Sequence, residues 1–171
     1  MYTFDEDLES AKRYEILTVK ELNRKGFNAR MNLDDFEAGT HPPDLYVNVN
    51  NKDIPIEVKH DIKSADTGNI CFEVNALTNV DAKYLIVYSD KNYSLFAFKI
   101  PELLKELKEM QMNYKASFIP NSGDSKTYGW KKENPIYLVH ISNIKNMKSK
   151  ISNFPFDEQW KTNFKLLNEN S

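Results

Sequence analysis

Pro43-Asp44-Leu45-Tyr46-Val47-Asn48-Val49-Asn50-Asn51-Lys52-Asp53-Ile54-Pro55-Ile56-Glu57-Val58-Lys59 is the stretch that decides the fold, and it reads as a β-hairpin. The first arm alternates with period two and puts Leu45, Val47 and Val49 on one side. The second arm sets Ile54, Ile56 and Val58 on one face and Glu57 and Lys59 on the other. Asn50-Asn51-Lys52 lies between them, and asparagine tolerates the positive φ that a tight hairpin turn demands. If Asn50-Asn51 is the turn, Val49 faces Lys52 and Asp44 faces Glu57. If the turn is Asn51-Lys52, Asp44 faces Lys59. Both registers gather Asp44, Glu57 and Lys59 on one face, because directly opposed residues point to the same side. A three-residue loop without a bulge would pair Asp44 with Val58 and scatter the group.

Two carboxylates and a lysine at that reach suit metal-assisted phosphodiester hydrolysis. A hard cation such as Mg²⁺ binds through one or two carboxylates and keeps sites for water and phosphate oxygens. A neighbouring lysine can orient or deprotonate the attacking water and stabilise the developing negative charge. Pro43-Asp44, twelve residues, then Glu57-Val58-Lys59 resembles the PD-(D/E)xK nuclease superfamily, which includes restriction endonucleases, Holliday-junction resolvases, and phage and homing nucleases. The resemblance implies that Asp44, Glu57 and Lys59 are catalytic. It also implies that Asp44, Glu57 and the backbone carbonyl of Val58 hold Mg²⁺, with Mn²⁺ able to substitute. The bland alternative is a solvated hairpin face.

Composition bounds these readings. The chain has 171 residues, 40% hydrophobic and 12% aromatic, enough for a folded globule with a real core. One domain over 1–171 is expected, with a core at about 5–99 and a C-terminal elaboration at about 100–171. The single cysteine, Cys71, excludes a disulfide framework and a cysteine zinc site. His41, His60 and His140 are scattered and complete no metal-ligand spacing. The acidic start lacks the basic region and apolar run of a signal peptide, and no apolar stretch approaches a membrane span, so a cytoplasmic protein without a membrane partner is expected. A net charge of −2 suits a nucleic-acid enzyme only if charge is unevenly spread.

From about Asp5 to Lys25 the chain has neither Gly nor Pro, acids crowd the front, and Gly26 stops the helix. At 100° per residue Phe4, Leu8, Ala11, Val19 and Leu22 share one sector, with Glu15 at its middle. A core-facing acid is costly unless paired or bound to a cation. In the superfamily the first helix often carries an additional metal-site glutamate, and Glu15 matches that position. The structural alternative is a partly buried Glu15 paired with Arg30 or a hairpin lysine.

Phe27 to Met31 reads as the first strand, and Asn32 to Pro42 as a polar loop whose His41 could reach metal or substrate. After Lys59 comes a polar stretch with Asp66-Thr67-Gly68-Asn69, then the apolar strand Ile70-Cys71-Phe72-Glu73-Val74. This succession resembles small phage-type nucleases of the same superfamily. It implies Glu73 as a further active-site acid, with Asn69 and Asn75 as candidates for contacting phosphate or positioning water. A short helix within 76–82, strands over 83–88 and 93–99, and a helix from Pro101 to about Met112 follow. The order helix, three strands, crossover, strand resembles the superfamily's restriction-endonuclease-like αβββαβ core. The fold class expected is therefore α/β, a mixed central sheet flanked by helices, with extra C-terminal strands and helices.

Pro120 to Pro135 is the longest loop, and from Lys126 to Lys150 six lysines stand against one acid, Glu133. Lys126, Lys131 and Lys132 suit phosphates, while Tyr128 and Trp130 suit stacking on bases. Ile136 to Ile141 reads as a strand with a core histidine, His140. The tail carrying Trp160, Phe164, Leu166 and Leu167 reads as an amphipathic helix, to be packed on the domain or used in a homodimer. The function expected is a metal-dependent DNA endonuclease acting on double-stranded or branched DNA. The rivals are an inactive nucleic-acid-binding module of the same fold and an RNA nuclease.

Overall fold

The computed structural model describes residues 4–33, 42–120 and 135–169. The hairpin forms as the first of the two registers. Asn50 and Asn51 both take left-handed backbone, with φ of 51° and 61°, the conformation of a two-residue turn that matches strand twist. Strand β2 (Leu45–Val49) therefore pairs antiparallel with β3 (Lys52–Asp61), Val49 opposite Lys52 and Leu45 opposite Ile56. Strand β3 runs two residues beyond Lys59. A short β1 (Asn28–Met31) pairs antiparallel on the outer side of β2.

The first helix, α1 (Phe4–Arg24), ends as Gly26 predicts. Gly26 has φ +87°, its N–H donates to the Asn23 carbonyl, and Phe27 N–H reaches back to the Leu22 carbonyl, so the last carbonyls are satisfied. The buried face differs from the expected one. Tyr14, Thr18, Glu21 and Leu22 are buried, Ala11 is exposed and Glu15 is half-buried. The helix is turned so that Glu15 flanks the core instead of facing it. Polar partners make this possible: Thr18 Oγ1 lies 2.8 Å from Tyr88 Oη, and Glu21 takes Arg24 and Asn163. Counting apolar residues alone misplaces such a face.

Beyond β3 come α2 (Ser64–Thr67), β4 (Asn69–Glu73) and α3 (Val74–Asn79), then β5 (Tyr84–Ser89), which lies parallel beside β3 with Lys59 level with Val87. A parallel neighbour requires a crossover, and α2 to α3 supply it. Strand β6 (Ser94–Lys99) closes a five-stranded mixed sheet in the order β1-β2-β3-β5-β6. The αβββαβ order expected from the hairpin and its surroundings is present. Strand β5 is buried on both faces: Leu85 and Val87 pack with α4 (Ile100–Met112), whereas Ile86 and Tyr88 pack towards α1 and α6 (Glu158–Glu169).

The C-terminal elements form a second, antiparallel sheet. Strand β4 does not join the central sheet but pairs with β8 (Ile136–His140), which pairs with β7 (Ser117–Ile119). Strand β7 left no mark in the sequence, because three residues that are exposed or half-exposed carry no periodicity. His140 is exposed, not a core residue; its Nδ1 lies 2.8 Å from Ser142 Oγ and caps the short α5 (Ile141–Ile144). The tail helix packs on its own chain: Trp160 and Phe164 are fully buried, and Trp160 Nε1 donates to Tyr88 Oη at 2.9 Å. No helix among the described residues is long and apolar enough to cross a membrane.

Candidate active site

A cleft of about 690 Å³ opens where α1, the start of β2, the end of β3 and β4 meet. Glu15, Asp44, Glu57, Val58, Lys59 and Glu73 all line it. The local folding that aims them is short-range. Asp44 stands just before β2, its carbonyl accepting from Asn32 N–H at 2.9 Å, and its Oδ2 accepts from Val58 N–H at 2.7 Å. Glu57 lies across the hairpin from Asp44 and hydrogen-bonds its carboxyl. Lys59, two residues on, shares the face of Glu57.

The electrostatics are those of crowded acids. Burial pushes Glu57 up to about 8, and Asp44 and Glu15 add to this while Lys59 opposes it. Burial also raises Asp44, although Val58 N–H and Lys59 work against the rise. Glu15 is pushed up to about 7, by burial first and by Asp44 second, against Lys12. Three carboxyl groups therefore share one cleft; burial raises all three, and Asp44 further disfavours ionisation of Glu57 and Glu15. Arg30, considered above as a partner for Glu15, instead bonds Asp53 at 2.6 Å and stacks over Tyr46.

Among the described residues no group of three or more His, Cys, Asp and Glu side chains is gathered tightly enough to cage an ion unaided. The donor set still fits a hard cation, because Mg²⁺ takes few protein carboxylates and completes its shell with water and phosphate oxygens. The oxygen donors at hand are Asp44, Glu57 and Glu15, and their raised pKa values are what a bound cation would reverse.

Of the further candidates, Glu73 faces the cleft from the end of β4, whereas Asn69 and Asn75 are not among its lining residues. His41, Lys126, Tyr128, Trp130, Lys131 and Lys132 lie outside the described residues. Among the lining residues that sequence reasoning did not place at the site are Tyr14, His60, Asp61 and Lys63. Asp61 accepts from Ser64 N–H at 3.0 Å and Cys71 N–H at 2.7 Å, tying the end of β3 to β4. Only a β3 drawn two residues longer would have brought Asp61 and His60 to notice. Cys71 also lines the cleft, but burial raises its thiol to about 11, which disfavours a nucleophilic thiolate.

Comparison with known proteins adds likeness at long range. No family model matches the chain, and no curated protein does. Similar solved structures include three nucleases. A bacterial homing endonuclease aligns over 100% of both chains at 16% identity and a TM-score of 0.47. The Holliday junction resolvase Hjc of Archaeoglobus fulgidus aligns over 76% of this chain and 88% of its own, at 13% identity and a TM-score of 0.43. A nuclease from a fusselovirus aligns over 83% and 86%, at 13% identity and a TM-score of 0.40. Overlays at these scores assign nothing to this chain, and the functional reading rests on the cleft.

Proposed function

We propose that this chain is a metal-dependent nuclease that hydrolyses phosphodiester bonds in DNA, double-stranded or branched. The observation that carries the reading is the convergence of Glu15, Asp44, Glu57 and Lys59 on one cleft, with Glu57 raised to about 8 and Glu15 to about 7. Such a cluster destabilises the fold when ionised and is favourable only when positive charge enters it. The acids that hold Mg²⁺ or Mn²⁺ in this reading are Asp44, Glu57 and Glu15, joined by the Val58 carbonyl. The bound cation supplies positive charge at the scissile phosphate and lowers the pKa of water.

The chain's own groups do the rest. Val58 N–H holds Asp44 in place at the mouth of the hairpin. Lys59 orients the attacking water and offsets the charge that grows on the phosphate oxygens in the transition state. Glu73, at the end of β4, lines the same cleft. The basic segment 126–132 supplies phosphate contacts and stacking surfaces in this reading.

The test is incubation of the purified protein with plasmid, branched DNA and RNA, with and without Mg²⁺. DNA cleavage with Mg²⁺ or Mn²⁺, absent in EDTA, is the expected outcome. Preferential cleavage of RNA would move the reading to an RNA nuclease. Tight DNA binding without cleavage would make it a binding module.

A further inference from the structure

Two rings stand beside the proposed site without entering its chemistry. Tyr14 immediately precedes Glu15 on α1, and His60 immediately follows Lys59 on β3. Their rings stack with centroids 3.9 Å apart and planes 28° from parallel, and both residues line the cleft. The helix that carries Glu15 is thus joined by a direct side-chain contact to the strand that carries Glu57 and Lys59.

Each ring is held from behind. The His60 side chain is only 8% exposed, and its Nε2 lies 2.7 Å from Oδ1 of Asp90, a carboxylate just past the end of β5. Tyr14 Oη donates to Asn168 Oδ1 at 2.9 Å, on α6. Phe164, also on α6 and fully buried, meets both rings edge-on at 5.9 and 6.1 Å. Four elements therefore converge on one stacked pair. Rotating α1 about its axis to release Tyr14 would carry Glu15 with it, since neighbouring residues are 100° apart on one rigid helix.

We propose that Tyr14 and His60 are positioning residues, and that their stack, anchored by Asp90 and by α6, holds Glu15 in register with Asp44 and Glu57. This inference rests on the metal-nuclease reading. Partners that orient ligands from behind commonly change metal affinity or activity by about 10- to 100-fold when removed, whereas a purely structural contact changes stability alone. The C-terminal helix thereby belongs to the site's support as well as to the core.

The experiment measures Mn²⁺ affinity by calorimetry and single-turnover cleavage on protein shown by thermal melting to be folded at the assay temperature. Tyr14→Leu removes the ring, and Tyr14→Phe keeps the stack. His60→Gln keeps an amide donor for Asp90 but has no ring, and is read by the same criteria should Tyr14→Leu fail to fold. The Leu variant is expected to bind Mn²⁺ about 10- to 100-fold more weakly and to lose cleavage in parallel, with Phe rescuing both. On a Glu15→Gln background the same Leu change should cost about twofold or less, because its effect passes through Glu15. An equal loss on both backgrounds, or folded ringless variants that bind Mn²⁺ and cut like wild type, overturns the positioning role alone. A wild-type protein that binds no Mn²⁺ and cuts nothing overturns the nuclease reading and this inference with it.

Discussion

Asp157 and Glu106 on one side, and Asp44, Glu57 and Glu15 on the other, show two opposite uses of a carboxylate in one chain. Asp157 takes Arg24 at 2.7 Å, Lys25, and the Trp160 N–H at 2.9 Å, joining the end of α1 to the start of α6. Glu106 takes Lys148 N–H, Ser149 N–H and Ser149 Oγ at 2.6–2.8 Å, joining α4 to the segment before α6. Donors outnumber other acids at both places, and both carboxyls are held below the usual carboxylate range. In the cleft the balance is reversed: burial pushes all three carboxyls up, Asp44 adds to the rise of Glu57 and Glu15, and Lys59 at Glu57 and Lys12 at Glu15 offset only part of this. The first pair holds the fold together. The second set weakens it, a pattern expected where function and not stability is served.

The largest expected effect separates chemistry from folding. Lys59→Ala should lower single-turnover cleavage by about 10²–10³, since the lysine is assigned to charge that grows in the transition state. Metal and DNA binding should persist, and added Mn²⁺ should not restore the rate. Asp44→Asn should lose cleavage by weaker metal binding and regain part of it with excess Mn²⁺. Wild-type rates in Lys59→Ala would make that residue a surface lysine.

Exchanging the two kinds of acid sharpens the contrast further. Glu106→Ala should cost about 1.5–3 kcal/mol in urea unfolding, the range for hydrogen bonds to a charged group, and leave cleavage per folded molecule unchanged. Glu57→Gln should abolish cleavage while making the metal-free protein more stable at pH 9. A destabilised Glu57→Gln would mean that Glu57 is paired in the fold as Glu106 is.

The pH dependence has opposite signs in the two regions. Glu57 has a folded pKa raised from 4.5 to about 8, so the native state binds more protons than the unfolded chain between those values. The contribution of Glu57 therefore turns unfavourable as pH climbs from about 4.5 and is fully unfavourable above about 8. Glu106 is lowered, so its contribution is present above its unfolded pKa and is lost as pH falls through the folded one. Metal-free unfolding followed from pH 4 to 9 should show a steeper descending limb in wild type than in Glu57→Gln, where the raised Glu15 and Asp44 keep part of it.

How far these regions were legible in the sequence follows from how local their causes are. The hairpin could be read because its alternation and its Asn50-Asn51 turn are neighbours, and the φ values of 51° and 61° chose one of two registers that already shared a face. Glu15 was found through the apolar stripe although the true buried face lies to one side of it, because Thr18 and Glu21 are buried with polar partners far along the chain. Tyr14 on His60 could not be read: 46 positions separate them and neither forms part of a motif. The second sheet was hidden for the same reason, as β4 pairs with β8 across 63 or more residues. Apart from the nearby Trp160 N–H, the donors to Asp157 and Glu106 are also distant along the chain, so the acids that hold the fold left less trace than those of the cleft.

A smaller effect concerns the basic segment. Lys131→Ala with Lys132→Ala should weaken DNA binding and reduce the salt slope by about one for each phosphate that is no longer neutralised. Binding measured from low to high salt gives the slope, and an unchanged value would place the DNA elsewhere on the surface.

The most direct measurement is a titration of metal-free protein with Mg²⁺ and Mn²⁺, following melting temperature and DNA cleavage in the same samples. The crowded acids of the cleft should make both rise together, with stability gaining about 2.7 kcal/mol when free metal reaches a hundred times its Kd, and Asp44→Asn should remove most of both responses. A melting temperature indifferent to either cation, together with full cleavage in excess EDTA, would contradict the account.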